Sequence, residues 1–435
     1  MTEVNHKKPG GVGQRAMVRL QVMLRALQHR NYRLFFTGQA ISLIGTWMQM
    51  VAMSWLVYRL TGSASMLGVI GFVSQVPTFV LAPFAGVLAD RWNRQRLLLT
   101  TQTLAMLQAA ALAWFVLSGT VQVWQIMTLA FLLGVINAFD IPVRQSFVVE
   151  LVEKREDLNN AIALNSSLIT SARLIGPSVA GVLIAFIGEG GCFVINSLSY
   201  LGVIVAIASM RLKPQKARGA ERHVLLELRD GFHYAYGFAP IRSILFMMML
   251  MSFAGMPYVV LMPVIAKNVL HGGSHTLGFL MGAAGFGALI STIRLASRKS
   301  VLGLGSLIAY AAAVFGVGVA SFALSHNMAL SMIFLCMAGF GSMAVISSSN
   351  TILQTIVDDD KRGRVMSFFT MSFMGTTPFG NLVAGLVADR IGPQNTLIIG
   401  GAACLVGGLL FARKLPAIRE KIRPIYARLG IVAAE

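Results

Sequence analysis

The chain is a run of apolar blocks, each about as long as a bilayer crossing and separated from the next by a few polar residues. A membrane helix consumes ~20 largely apolar residues. Twelve such blocks lie between residues 34 and 412, so a 435-residue chain has no room for a separate soluble domain. A soluble chain would be about 25% charged, and this one is 12% charged with a mean hydropathy of +0.70. An outer-membrane barrel would alternate apolar and polar residues over ~10-residue segments, which the continuous blocks do not. The expected fold is an all-α membrane protein with twelve transmembrane helices.

Basic residues set the expected orientation. An even number of spans puts both termini on one face, and 31 of the 36 Lys and Arg fall in the segments on that face. The positive-inside rule makes it cytoplasmic. The N-terminal stretch lacks the short apolar core and cleavage site of a signal peptide, so the first block is expected to stay as a span. The charge of +19 is spread over seven loops; it reads as a topology and anionic-lipid signal, and nucleic acid is not expected as a partner. Cys192, Cys336 and Cys404 are isolated in apolar blocks and read as packing residues, with no metal site expected.

The longest interior loop splits the blocks six and six. The expected organisation is an N-terminal tail (1–33), a six-helix bundle (34–210), a linker with an amphipathic interfacial helix (211–240), a second six-helix bundle (241–412) and a C-terminal tail (413–435). The halves repeat: Gly176, Gly181 and Gly188 recur as Gly380, Gly385 and Gly392 at a constant offset of 204, and QSFVVE at 145–150 is echoed by QTIVDD at 354–359. Parallel six-span repeats predict two bundles related by an axis along the membrane normal, with a substrate site between them near midplane.

Residues 86–96 read GVLADRWNRQR. Gly86 permits close helix approach, Asp90 can face a helix N-terminus, and Arg91, Arg94 and Arg96 can clamp cytoplasmic helix ends, together forming a conformational latch. This segment resembles the loop motif of the major facilitator superfamily, Gly-x-x-x-Asp-Arg-x-x-Arg, placed between spans two and three as in that family. The loop at 291–300, STIRLASRKS, keeps the basic residues and lacks the Asp. SARLIGPSVAG at 171–181 is similar to the superfamily's antiporter motif, with Ala172 and Ala180 in place of two glycines. Gly176 and Pro177 allow a bend there, and Gly181 a close contact. Blocks 137–152, 158–177 and 362–368 resemble the drug:proton antiporter group that includes enterobactin exporters and macrolide efflux proteins. The resemblance implies the two-bundle fold and export.

Ionisable groups deep in spans are costly and usually functional. Asp140, Arg144 and Arg173 are the candidates. Asp140 and Arg144 share a helix face at i, i+4; Asp140 either couples to protons or forms a cytoplasmic gate with Arg144, Asp90 and Arg94. Gln39, Asn137 and Asn350 are the leading candidates for cargo contact, since the first and fourth spans of each half line the cavity in the superfamily. No histidine lies in a span core, and no phosphate-binding loop or paired catalytic groups appear. An enzyme is not expected. The expected function is export of small amphiphilic molecules, drug or siderophore-like, by proton antiport with alternating access across a bacterial inner membrane. The proton motive force replaces any cofactor, and the protein is expected to work as a monomer. The alternatives are a carrier of lysophospholipid or another lipid, or a facilitator without proton coupling. With one interior acid and two interior arginines, an anionic, zwitterionic or neutral cargo fits better than a cationic one.

Overall fold

The computed structural model describes residues 24–152, 154–210, 233–298 and 300–432; within these, the side chains at 82–84, 86–91, 155, 359 and 360 lie outside the description. The expected interfacial helix of the linker falls almost wholly outside the described residues, which resume in helix at 233–237.

All regular structure among the described residues is helical. The first half holds α1 (Arg30–Thr61), α2 (Ala64–Arg91), α3 (Arg94–Leu117) and α4 (Val123–Glu150), followed by one stretch, Leu158–Ala208. Gly188 sits inside that stretch at φ 70°, ψ 177°, which breaks it into α5 (158–187) and α6 (189–208). The second half holds α7 (Ala239–Val269), α8 (Ser274–Ala296), α9 (Leu304–Leu324), α10 (Met328–Ile356), α11 (359–391) and α12 (Pro393–Arg428). Twelve helices therefore stand at the twelve expected positions, and ten of the helical stretches among the described residues are long and apolar enough to cross a membrane. Gly392, the repeat counterpart of Gly188, also has positive φ, 86°, a conformation that glycine adopts without steric cost. The two matched turns make the repeat visible in the backbone.

Element ends follow local chemistry. Gly62 closes α1 in the left-handed region, the Asn93 side chain accepts the Arg96 N–H to start α3, and Asn327 accepts from Ala329 and Leu330 to start α10. π-helical turns interrupt α7 at Met251–Gly255 and α11 at Met371–Gly375, and Ser252 donates to the Phe373 carbonyl where they meet. Outward faces carry Trp114, Phe186 and Tyr310, all largely exposed, which suits a surface solvated by lipid.

α12 runs on through residues 413–428, beyond the expected span end at 412. Leu415, Ile418 and Ile422 are buried while Arg413, Lys414, Arg419, Lys421 and Arg423 are exposed. That spacing makes the extension amphipathic, so helix continues where hydropathy alone marks an end.

Within each half the repeat places equivalent contacts. A Cβ on Gly176 would stand 2.5 Å from Trp47 Cβ, pressing α5 on α1; Gly380 meets the Phe253 carbonyl in the same way, pressing α11 on α7. The halves meet along two seams. In one, α5 lies on α8: a Cβ on Gly181 would be 2.7 Å from Gly278 Cα, Ser178 faces Gly282, and Leu174 faces Gly285. In the other, α2 lies on α11 through Gly68 against Gly385, Gly71 against Asn381, and Phe72 edge-on to Phe379 at 5.5 Å. Small residues let the backbones approach, as expected where van der Waals packing drives helix association in lipid.

Both seams run from midspan toward the end of the molecule that carries Gly62, Gly188 and Gly392, termed the far end, opposite the termini. Hydrogen bonds join the halves there: Asn268 Nδ2 donates to Tyr58 Oη at 2.7 Å, Ser274 Oγ to the Gly181 carbonyl at 3.2 Å, and three groups of 63–65 to Asp389.

Candidate functional site

Three groups of polar residues occupy the interior. The first surrounds Asp140 on α4, which is 3% exposed. Its Oδ1 accepts from Thr101 Oγ1 at 2.8 Å and from Gln102 Nε2 at 2.7 Å, both on α3. Its Oδ2 pairs with Arg144 Nη2 at 3.2 Å, one turn along α4. Arg144 then donates through Nη1 to Gln39 Oε1 on α1 at 3.3 Å. The structure thus joins Gln39, Asp140 and Arg144 into one chain of contacts. The buried Gln39 Nε2 has no hydrogen-bond partner, so one donor of this cluster is unused. Asn137 is half-buried on the same helix, one turn from Asp140, and its amide makes no hydrogen bond among the described residues.

The second group is Arg173 on α5, whose guanidinium lies over the Trp47 ring at 5.6 Å from the centroid. Arg173 and Trp47 line a cavity of about 30 Å³ with Pro177, Tyr258, Met262 and Met281. That volume holds little more than one water. The cavity draws on both halves of the chain and sits at the inner limit of the α5–α8 seam. Arg173 is therefore separate from the Asp140 cluster.

The third group fastens helices. Gln49 accepts from Asn196 Nδ2 at 2.6 Å and donates to Gln108 Oε1 at 2.9 Å, and all three are buried. Asn350 on α10 accepts from Gln354 at 2.8 Å, an i, i+4 pair on its own helix.

Of the latch residues, Gly86, Asp90 and Arg91 lie outside the described side chains, while Arg94 forms an ion pair with Glu150 at the end of α4. In the antiporter-type segment, Gly176 brings α5 onto α1, Pro177 lines the cavity and Gly181 forms the inter-half seam.

Sequence reasoning missed Asp389. Its Oδ1 accepts the Ala64 N–H at 3.0 Å, and its Oδ2 accepts the Ser65 N–H and Ser63 Oγ, each at 3.1 Å. A carboxylate at the end of α11 thus caps the N-terminus of α2 across the halves, which satisfies orphan N–H groups and complements the helix dipole. The signal was available: GVLADR at 86–91 recurs as GLVADR at 385–390, on the opposite face. Glu189, just past the Gly188 break, is buried and receives Arg59 Nε at 2.8 Å.

The profile of the transmembrane secretion effector family matches residues 22–426. The chain belongs to this family of major facilitator transporters. It is 26% identical to the staphyloferrin A transporter of Staphylococcus aureus over 87% of this chain and 94% of that protein. It is 23% identical to macrolide efflux protein A of Streptococcus pyogenes, covering 86% and 94%, and 24% identical to the multidrug efflux pump Tap of Mycolicibacterium fortuitum, covering 86% and 93%. Among solved structures, an inward-facing, unoccupied bacterial homologue of the human lysosomal transporter Spinster superposes with a TM-score of 0.69 at 12% identity, covering 95% of this chain and 99% of that one. A POT family transporter in complex with a thioalcohol-conjugated peptide gives 0.71 at 13%, covering 89% and 96%. These structural likenesses carry the fold. The protein is a multi-pass membrane transporter with efflux relatives and is not an enzyme.

Proposed function

We propose that this transporter exports small amphiphilic molecules, drug or siderophore-like, in exchange for protons, with both termini in the cytoplasm of a bacterial inner membrane. The reading rests on Asp140, a buried carboxylate on α4 whose partner Arg144 reaches Gln39 on α1. A proton on Asp140 removes the charge that holds Arg144, so the guanidinium turns to Gln39 or to cargo; loss of the proton draws it back. The proton supplies the energy, ~2.3 kcal/mol per 100 mV of membrane potential, and no cofactor is required.

Alternating access is supported by the two seams, along which the described residues of the halves meet from midspan to the far end. The cleft then opens on the side of the termini, and the bundles 34–210 and 241–412 rock about the seams as single bodies. Gln39, Asn137 and Asn350 are the side chains proposed to meet cargo as the cleft changes shape. One observation favours lipid cargo: an apolar groove of about 340 Å³ on the flank, lined by Phe279, Phe286, Met332 and Ile333. Its wall is nearly all apolar, as an annular lipid site would also be, so it ranks second.

The test is proton flux in sealed proteoliposomes under an imposed pH gradient, on addition of amphiphiles, for the native protein and Asp140→Asn. Cargo-dependent flux lost in the variant is the expected result. Cargo movement without proton flux would sink antiport and leave a facilitator, with Asp140 as a gate residue.

A further inference from the structure

Two arginines lie inside spans, and the structure treats them differently. Arg144 is matched by Asp140. Arg173 stands midway along α5, and among the described residues no carboxylate is in ion-pair contact with it. Its one strong partner is the face of Trp47. A lone cation at that depth is costly, and such groups mark substrate paths. Among the described residues no acid cancels it, although acids do so for Arg144 and, at the far end, for Arg59.

The surroundings say what kind of molecule completes the charge. Trp47 and Tyr258 present aromatic faces, Met262 and Met281 are adaptable, and Pro177 closes the wall. Four helices from both halves contribute these groups, so an occupant would touch α1 and α5 on one side and α7 and α8 on the other. The Trp47 ring, 5.6 Å from the guanidinium carbon, attracts the cation without accepting any of its N–H bonds, which leaves that fork of donors for a bidentate anion. The present cavity, about 30 Å³, admits little more than the polar tip of such a molecule. The rest would occupy space that opens as the halves part.

We propose that Arg173, braced on Trp47, is the anchor for a carboxylate carried by an amphiphilic aromatic cargo. This deepens the export reading and rests on it, because cargo must enter between the halves. It also gives export a direction, since an anion leaving the cytoplasm moves down the membrane potential.

The test uses a matched pair of probes, dansylglycine and its uncharged amide dansylglycinamide, which differ at the carboxylate alone. Binding to the full-length protein in phosphatidylcholine nanodiscs is read by dansyl emission and by energy transfer from tryptophan. The native protein should prefer the carboxylate about tenfold, as expected for one charge-assisted bidentate contact. Arg173→Gln should erase the preference while still binding the amide, which shows that the variant is folded. Arg173→Lys should keep part of it, having charge without the planar fork. Equal binding of the two probes, no binding of dansylglycine, or a preference that survives in Arg173→Gln overturns the proposal. Displacement of the probe by added phosphatidylglycerol would make a lipid headgroup the anion and overturn the cargo assignment. Transport in proteoliposomes separates the two readings. Export of both probes without carboxylate preference removes the anchor and leaves export standing, whereas Arg173-dependent binding with no export of either probe removes export and leaves the anchor.

Discussion

Single side chains in this transporter divide by whether their hydrogen-bonding capacity is used up. Gln49, with Gln108 and Asn196, is spent on holding α1, α3 and α6 together. Gln49→Leu should therefore cost stability, roughly 1–3 kcal/mol from the stranded buried partners, while transport per folded molecule stays near normal; thermal unfolding in detergent alongside a flux assay checks both halves of the expectation. Gln39 is different, because its Nε2 is buried without a partner beside Arg144. Gln39→Ala should reduce cargo-driven flux several-fold with a smaller change in unfolding temperature, the opposite pattern to Gln49→Leu. The sequence singled out Gln39 and not Gln49 as a leading cargo candidate, but the partner and the spare donor that separate them physically are set by neighbours far along the chain.

Helices read well from the sequence where one physical signal governs them. The spans follow from apolar length, and two of the glycines that mark the repeat in sequence, Gly188 and Gly392, share a positive φ in the backbone. Two features escaped. The α12 extension is amphipathic rather than apolar, so hydropathy stops short of it. The Asp389 cap has no counterpart in the loop at 291–300, which a parallel repeat places on the same face as 86–96; the second GxxADR lies on the other face, at the end of α11. Asp389→Ala removes the acceptor for two backbone N–H groups of α2. Loss of a cap costs about 1 kcal/mol, or about a fivefold shift in a two-state ratio. In a background lacking the native cysteines, spin labels at Leu60→Cys and Ile391→Cys, both exposed at the far end, should report more of the separated far end in that variant; unchanged distances would show that the cap does not hold the halves.

The whole molecule is two bundles touching along two seams, and the α5–α8 seam can be locked chemically. A Cβ on Gly282 would lie 3.6 Å from Ser178 Cβ, within the Cβ separation of a disulfide. In a background lacking the native cysteines, Ser178→Cys with Gly282→Cys should oxidise to a cross-link that abolishes transport, and reductant should restore it. Transport that persists in the oxidised protein would mean that this seam does not open in the cycle. The seams are built largely from backbone meeting backbone at Gly181, Gly278, Gly68 and Gly385, with little side-chain interdigitation there to undo as they part. The surfaces that slide and the surfaces that meet cargo therefore use different alphabets. Trp47, Tyr258, Met262 and Met281, which wall the cavity, are distinct from the glycines on which the halves turn. A chain built this way can acquire a new cargo by changing a few wall residues, whereas a single methyl group added at a seam glycine would jam it for every cargo alike.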